Sequence, residues 1–241
     1  MKTPFWAPQS AISPPTGRLV PPLFNQRNMV SKTKMSAKYR QDVANLAVAQ
    51  SLTASRSRVF IAFDVKWDED DPDTVLEIGM AILDLRHGFL RPNRLPPSTW
   101  SIRPHHIIIS DNMHIHNTRY SRSNKFGFKF GKSYIARLEK AVKSINDILN
   151  RYPTDQIVIV GQFISKDKAK LEDMGIEIDD DMLVFDISNL ERAYEQQVNG
   201  RRRSLREICE NLEVPYYRRD KLGNAGNDAF FAMACFSEMC C

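Results

Sequence analysis

Residues 59–65 read Val-Phe-Ile-Ala-Phe-Asp-Val, apolar at both strand parities until Asp64. A strand with one wet face alternates apolar and polar residues. A run without that alternation has to be covered on both sides. The stretch therefore predicts a central strand between two layers, and it restricts the architecture more than any other segment. The acidic, proline-containing residues 68–73 read as a turn, 74–85 as a second strand and 98–110 as a third. Their short connections predict an antiparallel start. The spacing of Ile135, Leu138, Val142, Ile145 and Leu149 then predicts a long helix over 133–151, with Ser133 as its cap. A strand at 156–161, a helix at 165–174, a strand at 182–186 and helices at 188–197, 204–211 and 225–239 complete the pattern. Strands followed by alternating helices and strands define an α/β domain with a mixed sheet: three antiparallel strands, then parallel ones, flanked by helices.

The 241 residues suit a domain with a sizeable core and a tail. Residues 1–36 carry no acidic residue, are rich in Pro, Ser, Lys and Arg, and read as a disordered basic tail. Residues 37–57 read as a lead-in helix and linker, and 58–241 as the domain. A basic, acid-free start also suits an organellar transit peptide, so a mitochondrial address stands beside a cytoplasmic or nuclear one. Pro4, Pro8, Pro14, Pro15, Pro21 and Pro22 would interrupt the amphipathic helix such a signal needs. No apolar run is long enough to span a bilayer, which argues against a membrane partner. Cys209, Cys235, Cys240 and Cys241 show no metal-ligand spacing and read as free thiols of a reducing compartment; the final pair ends a helix rather than forming a prenylation signal. A net charge of +5 permits phosphate contacts.

Three aspartates sit where α/β sheets gather functional groups: Asp64 near the end of the first strand, Asp167 entering a helix after the fourth, and Asp228 in the first turns of the last helix. Isolated aspartates at helix starts are usually caps, but three converging from distant segments can hold divalent cations for phosphoryl transfer. Around them stand Phe63-Asp64-Val65-Lys66, the strand from Val75 to Ala81 with its Glu-Ile-Gly, the segment from Val160 to Asp167, and Gly223-Asn224-Ala225-Gly226-Asn227-Asp228. These, with the stretches 103–117 and 128–133, resemble the DEDD family of 3′–5′ exonucleases, and within it a fungal Gfd-like branch. The resemblance runs over about residues 58–239 and implies a ribonuclease H-like fold. It also implies that Asp64, Asp167 and Asp228 would carry catalysis and hold Mg²⁺ or Mn²⁺ in an active member.

Two positions depart from the family pattern. Lys66 stands where the family has a Glu, and Gly223 where its His-bearing subclass has the general base. Strand alternation places Lys66 on the face of Asp64. An ammonium about 5 Å from a dication is repelled by roughly 6 kcal/mol at an effective dielectric of about 20. Loss of a general base alone costs about 10²–10⁴-fold in rate. Two orientations of Lys66 are open: an ion-pair cluster with Asp64, Asp167 and Asp228, or projection into solvent. Asp68, Glu69 and Glu77 are the nearest other carboxylates, while His105, His106, His114 and His116 read as surface and loop histidines.

Candidate nucleic-acid contacts are Lys166, Lys168 and Lys170 around Asp167, then Arg201, Arg202 and Arg203, then Tyr216, Tyr217, Arg218 and Arg219. Aromatics interleaved with cations suit stacking and phosphate contact, although each group alone is more often a solvated face. The resulting expectation is a nucleic-acid-binding family member, on single-stranded RNA or DNA, with a degenerate catalytic site. An active metal-dependent exonuclease and a protein-interaction scaffold are the alternatives.

Overall fold

The first strand, β1 (Val59–Trp67), sits in the middle of the sheet, as its two-sided apolar sequence demands. The computed structural model describes residues 36–86, 102–118, 123–215 and 217–241. Beside β1 lie β2 (Val75–Asp84), antiparallel to it, and β5 (Ile157–Gly161), parallel to it. With β3 (Ile102–Ile109), β4 (Tyr134–Ala136) and β6 (Leu183–Asp186), the sheet runs in the order β4-β3-β2-β1-β5-β6. The β2–β3 pair is antiparallel; the β3–β4 and β5–β6 pairs are parallel. Among the described strands β2 alone runs against the others, and the order of the sheet turns between β1 and β5, whose strand ends are a natural place for a site.

Alternation along β1 divides the core in two. Phe60 and Ala62 face α6 (Ala225–Cys240), where Phe60 packs 4.9 Å, centroid to centroid, from Phe236. Val59, Ile61, Phe63 and Val65 face the opposite layer, with Ile145 of α2 (Leu138–Leu149) and Leu171 of α3 (Ser165–Asp173). Nearly every residue of α6 is buried, as expected of a helix that is apolar all round. Each fully buried Phe side chain contributes about 2–3 kcal/mol of transfer free energy. The helix α1 (Ala37–Ser55), capped by Ser36, lies against α6: Gln50 donates to the Met239 carbonyl at 3.1 Å and Thr53 to that of Cys240. It also pairs Asp42 with Arg192 of α4 (Ile187–Tyr194). The helix before α6, α5 (Leu205–Asn211), opens with a capping box between Ser204 and Glu207.

The expected helix over 133–151 is a correction. Residues 134–136 are strand β4, pairing with Ile107–Ile109 of β3, and the helix begins only at Leu138 with Arg137 as a cap that makes no side-chain bond. Ser133 is no cap; its hydroxyl lies 2.8 Å from His106 Nδ1. Ile135 continues the helical spacing of Leu138, Val142 and Ile145, so periodicity alone merges the two elements. The start of the expected third strand and the tail through residue 35 lie outside the described residues. Among the described residues no helix is long and apolar enough to cross a membrane.

Candidate functional site

Gly79 of β2 faces Asp64 in the β1–β2 register. A Cβ there would stand 1.9 Å from the Ala225 carbonyl oxygen, so only glycine admits α6 this close. Gly226 plays the same part against β3: a Cβ would lie 2.6 Å from that of His106. The start of α6 is drawn onto the sheet, and Asp228 in its first turn reaches β1.

Lys66 meets it there. Its ammonium stands 2.7 Å from Asp228 Oδ2 and 2.8 Å from Asp64 Oδ2, with all three side chains less than a quarter exposed. A register break between Lys66 and Trp67 ends the regular β1–β2 ladder just beyond. Asp167 approaches from the first turn of α3, where its Oδ1 accepts the Val65 backbone N–H at 3.0 Å. It is absent from the described ion pairs of Lys66, so the expected cluster of four is an ion-paired trio with Asp167 beside it. Solvent projection of Lys66 is not what the structure has.

One ammonium cannot balance three carboxylates, and the excess negative charge acts on their protonation. Burial works against the Lys66 charge, but Asp228 and Asp64 outweigh it and hold its pKa well above the ordinary lysine value. Asp64 is pushed well above the usual carboxylate range by burial, against the pull of Lys66 and with repulsion from Asp228 and Asp167. Asp167 rises to about 6, through burial first; the Val65 N–H and Lys66 oppose the rise, and Asp186 and Asp228 add to it. Protons relieve the charge a cation would otherwise balance. Among the described residues no group of three or more His, Cys, Asp or Glu is arranged to hold a metal ion. The Asp64 and Asp228 oxygens that would face a dication face Lys66 instead, so this donor set as arranged does not fit one.

The remainder of the 223–228 segment is structural. Asn224 caps α6 by accepting the Asn227 N–H at 3.0 Å, and its amide donates to the Lys125 carbonyl at 3.0 Å. Asn227 accepts the Lys129 N–H and donates to the Gly127 and Lys221 carbonyls. Gly223 donates its N–H to Asp228 Oδ1 at 3.1 Å and has a φ of 81°, in the left-handed region that disfavours side chains. Behind this cap lies a buried pair that spacing did not reveal: Glu77 Oε2 is 2.9 Å from His106 Nε2 and accepts the Ala225 N–H at 3.3 Å. His106 is therefore an interior residue, a correction to its reading as a surface histidine, while His105, His114 and His116 are exposed. Lys125, also buried, donates to the Asn112, Met113 and Ile115 carbonyls. A Glu-Ile-Gly strand opposite an Asn-capped helix was the available signal for Glu77; nothing in the local sequence marks Lys125. Asp68 and Glu69 lie in the acidic turn and bind its backbone and Thr118 respectively.

Most of the basic candidates are ion-paired within the chain. Lys166 is exposed at the start of α3, Lys168 pairs with Glu172 and Asp180, and Lys170 lies 3.0 Å from Asp73. Arg201 pairs with Glu207, Arg202 with Asp186 at 3.3 Å, and Arg203 with the buried Glu191. Arg218 pairs with Asp220, and Arg219 with Glu210 at 2.7 Å. Tyr217 is half-buried and packs edge-on against Phe231. Tyr216 lies outside the described residues. All four cysteines are free; Cys209, Cys235 and Cys240 are buried and Cys241 is exposed.

A mixed sheet of this order, with carboxylates gathered at the end of its central strand, is the arrangement that the sequence resemblance implies. Residues 59–239 match the family described as DNA polymerase III subunit epsilon-like, C-terminal domain, and the chain belongs to that family. Good for full DBP5 activity protein 2 of Saccharomyces cerevisiae (strain ATCC 204508 / S288c) is 26% identical over 248 residues, covering 90% of this chain and 42% of the yeast protein. A second, uncharacterized protein of the same yeast is 28% identical over 206 residues, covering 76% of this chain and 41% of its own length. The chain thus spans about two fifths of these relatives. Among solved structures, one chain of the structure of yeast NOT1 MIF4G domain co-crystallized with CAF1 overlays with a TM-score of 0.40 at 13% identity, covering 81% of this chain and 83% of that one. The RNase domain of the yeast Pop2 protein overlays at 0.39 and 11%, covering 83% of each.

Proposed function

We propose that this chain is a nucleic-acid-binding member of the DEDD exonuclease family with a degenerate catalytic centre, in which Lys66 stands in place of the metal. The observation that carries the reading is the Lys66 ammonium between Asp64 and Asp228, at 2.8 and 2.7 Å. It supplies one positive charge where the family's chemistry asks for dications, and it cannot act as a Lewis acid. Gly223 brings no side chain that could take a proton from an attacking water.

The test is Mg²⁺- and Mn²⁺-dependent degradation of single-stranded RNA and DNA with free 3′ ends, alongside Asp228→Asn, with binding measured over a salt series. The reading predicts no degradation by either form and binding that weakens steeply with salt. Degradation that Asp228→Asn abolishes would establish an active exonuclease instead.

A second reading, a protein-interaction scaffold without a nucleic-acid site, draws support from the basic candidates themselves. Most are committed to intramolecular ion pairs, and Tyr217 to the core. Absence of salt-dependent binding would favour it.

A further inference from the structure

Phe163 lies in the connection from β5 to α3, four residues before Asp167. It has a φ of 52°, in the left-handed region where a bulky side chain is strained. The residue is nevertheless 37% exposed, so full burial does not repay the strain. Glycine or asparagine would hold this backbone more cheaply. The ring is also organised: the Arg202 guanidinium lies 4.7 Å from its centroid. Arg202 is held by Asp186 at 3.3 Å, and Asp186 is one of the charges acting on Asp167. Gln162, next to Phe163, donates to the Arg203 carbonyl at 3.0 Å and pins the arginine segment beside the loop. Lys166, exposed, follows three residues on, its backbone N–H donating to the Phe163 carbonyl at 3.3 Å.

We infer that Phe163, with the Arg202 guanidinium over its ring, is a stacking platform for one unpaired nucleobase beside the carboxylate site; this rests on the nucleic-acid-binding reading above. An aromatic face takes any base, and adjacent cations meet the phosphates on either side of it. The ligand class is therefore single-stranded nucleic acid, bound without sequence readout. The strained backbone presents the ring outward and fixes the site before the strand arrives.

Fluorescence anisotropy of the full chain with 5′-fluorescein ten-nucleotide oligo(U) and oligo(dT) tests this. Phe163→Leu keeps apolar bulk without the π-face, Phe163→Trp restores it, and Phe163→Asn suits the backbone and keeps the test open if Phe163→Leu does not fold. Expected are a loss of about ten-fold for Leu and Asn, and wild-type affinity or better for Trp. Oligonucleotides abasic at every position should bind wild type and Phe163→Leu alike. Wild-type binding that Leu or Asn leaves intact would overturn the platform while sparing the nucleic-acid reading. A wild-type chain that binds neither oligonucleotide would overturn both.

Discussion

The Lys66 ammonium of β1 lies 2.7 Å from Asp228 Oδ2 of α6, tying the central strand to the last helix at the end of the sheet. The same ammonium reaches Asp64 at 2.8 Å, so one flexible side chain serves two carboxylates carried by different layers. Removing one partner of a largely buried pair leaves the other uncompensated, and that is more damaging than the net worth of the pair.

Lys66→Met is therefore expected to destabilise the chain by about 2–4 kcal/mol at pH 8, measured by chemical denaturation. The loss should shrink at pH 5, because Asp64 and Asp167 are groups that burial pushes toward protonation. A cost independent of pH would show that Lys66 acts through packing alone.

Asp167 carries its own pH signature. Its pKa rises from 3.8 to about 6 on folding, so its protonated form is favoured in the folded state. Its contribution to stability is fully present below pH 3.8 and is lost as pH rises through 6. At 1.36 kcal/mol per unit this amounts to about 3 kcal/mol as an upper figure. Relative to Asp167→Asn, wild type should lose stability between pH 4 and pH 7, and a carboxyl carbon resonance absent from the variant should titrate near pH 6.

Restoring the family's general base has a backbone cost. Gly223 sits at a φ of 81°, so Gly223→His is expected to lower stability by about 1–2 kcal/mol, and Gly223→Asn by less. Thermal unfolding of the two variants checks the order; equal losses would remove backbone strain as the cause.

Close approach, rather than conformation, governs Gly79. A methyl group 1.9 Å from the Ala225 carbonyl would force α6 off the sheet, so Gly79→Ala should cost more than 4 kcal/mol, with loss of soluble folded protein as the readout. A folded Gly79→Ala with a near wild-type melting temperature would show that the helix can retreat cheaply.

The sequence made some of this legible and hid the rest for identifiable reasons. Apolar residues at both parities placed β1 at the centre, and the spacing of Asp64 and Lys66 put them on one face, because parity is a local property. Strand β4 was hidden because Ile135 extends a helical stripe, whereas its pairing with Ile107–Ile109 is long-range. The pairing of Glu77 with His106 depends on a neighbour on the adjacent strand, and no local pattern marks His106 or the buried Lys125 as interior. The trio itself was open between two orientations of Lys66. Packing of α6, permitted by Gly79 and Gly226, decides between them.

The central claim is that Lys66 stands where a dication would bind, and Mn²⁺ titration by isothermal calorimetry at pH 8, comparing wild type with Lys66→Glu, tests it most directly. The account predicts no saturable binding to wild type up to millimolar Mn²⁺, and saturable binding to Lys66→Glu that also raises its melting temperature. Micromolar binding to the wild-type chain, abolished by Asp228→Asn, would contradict it.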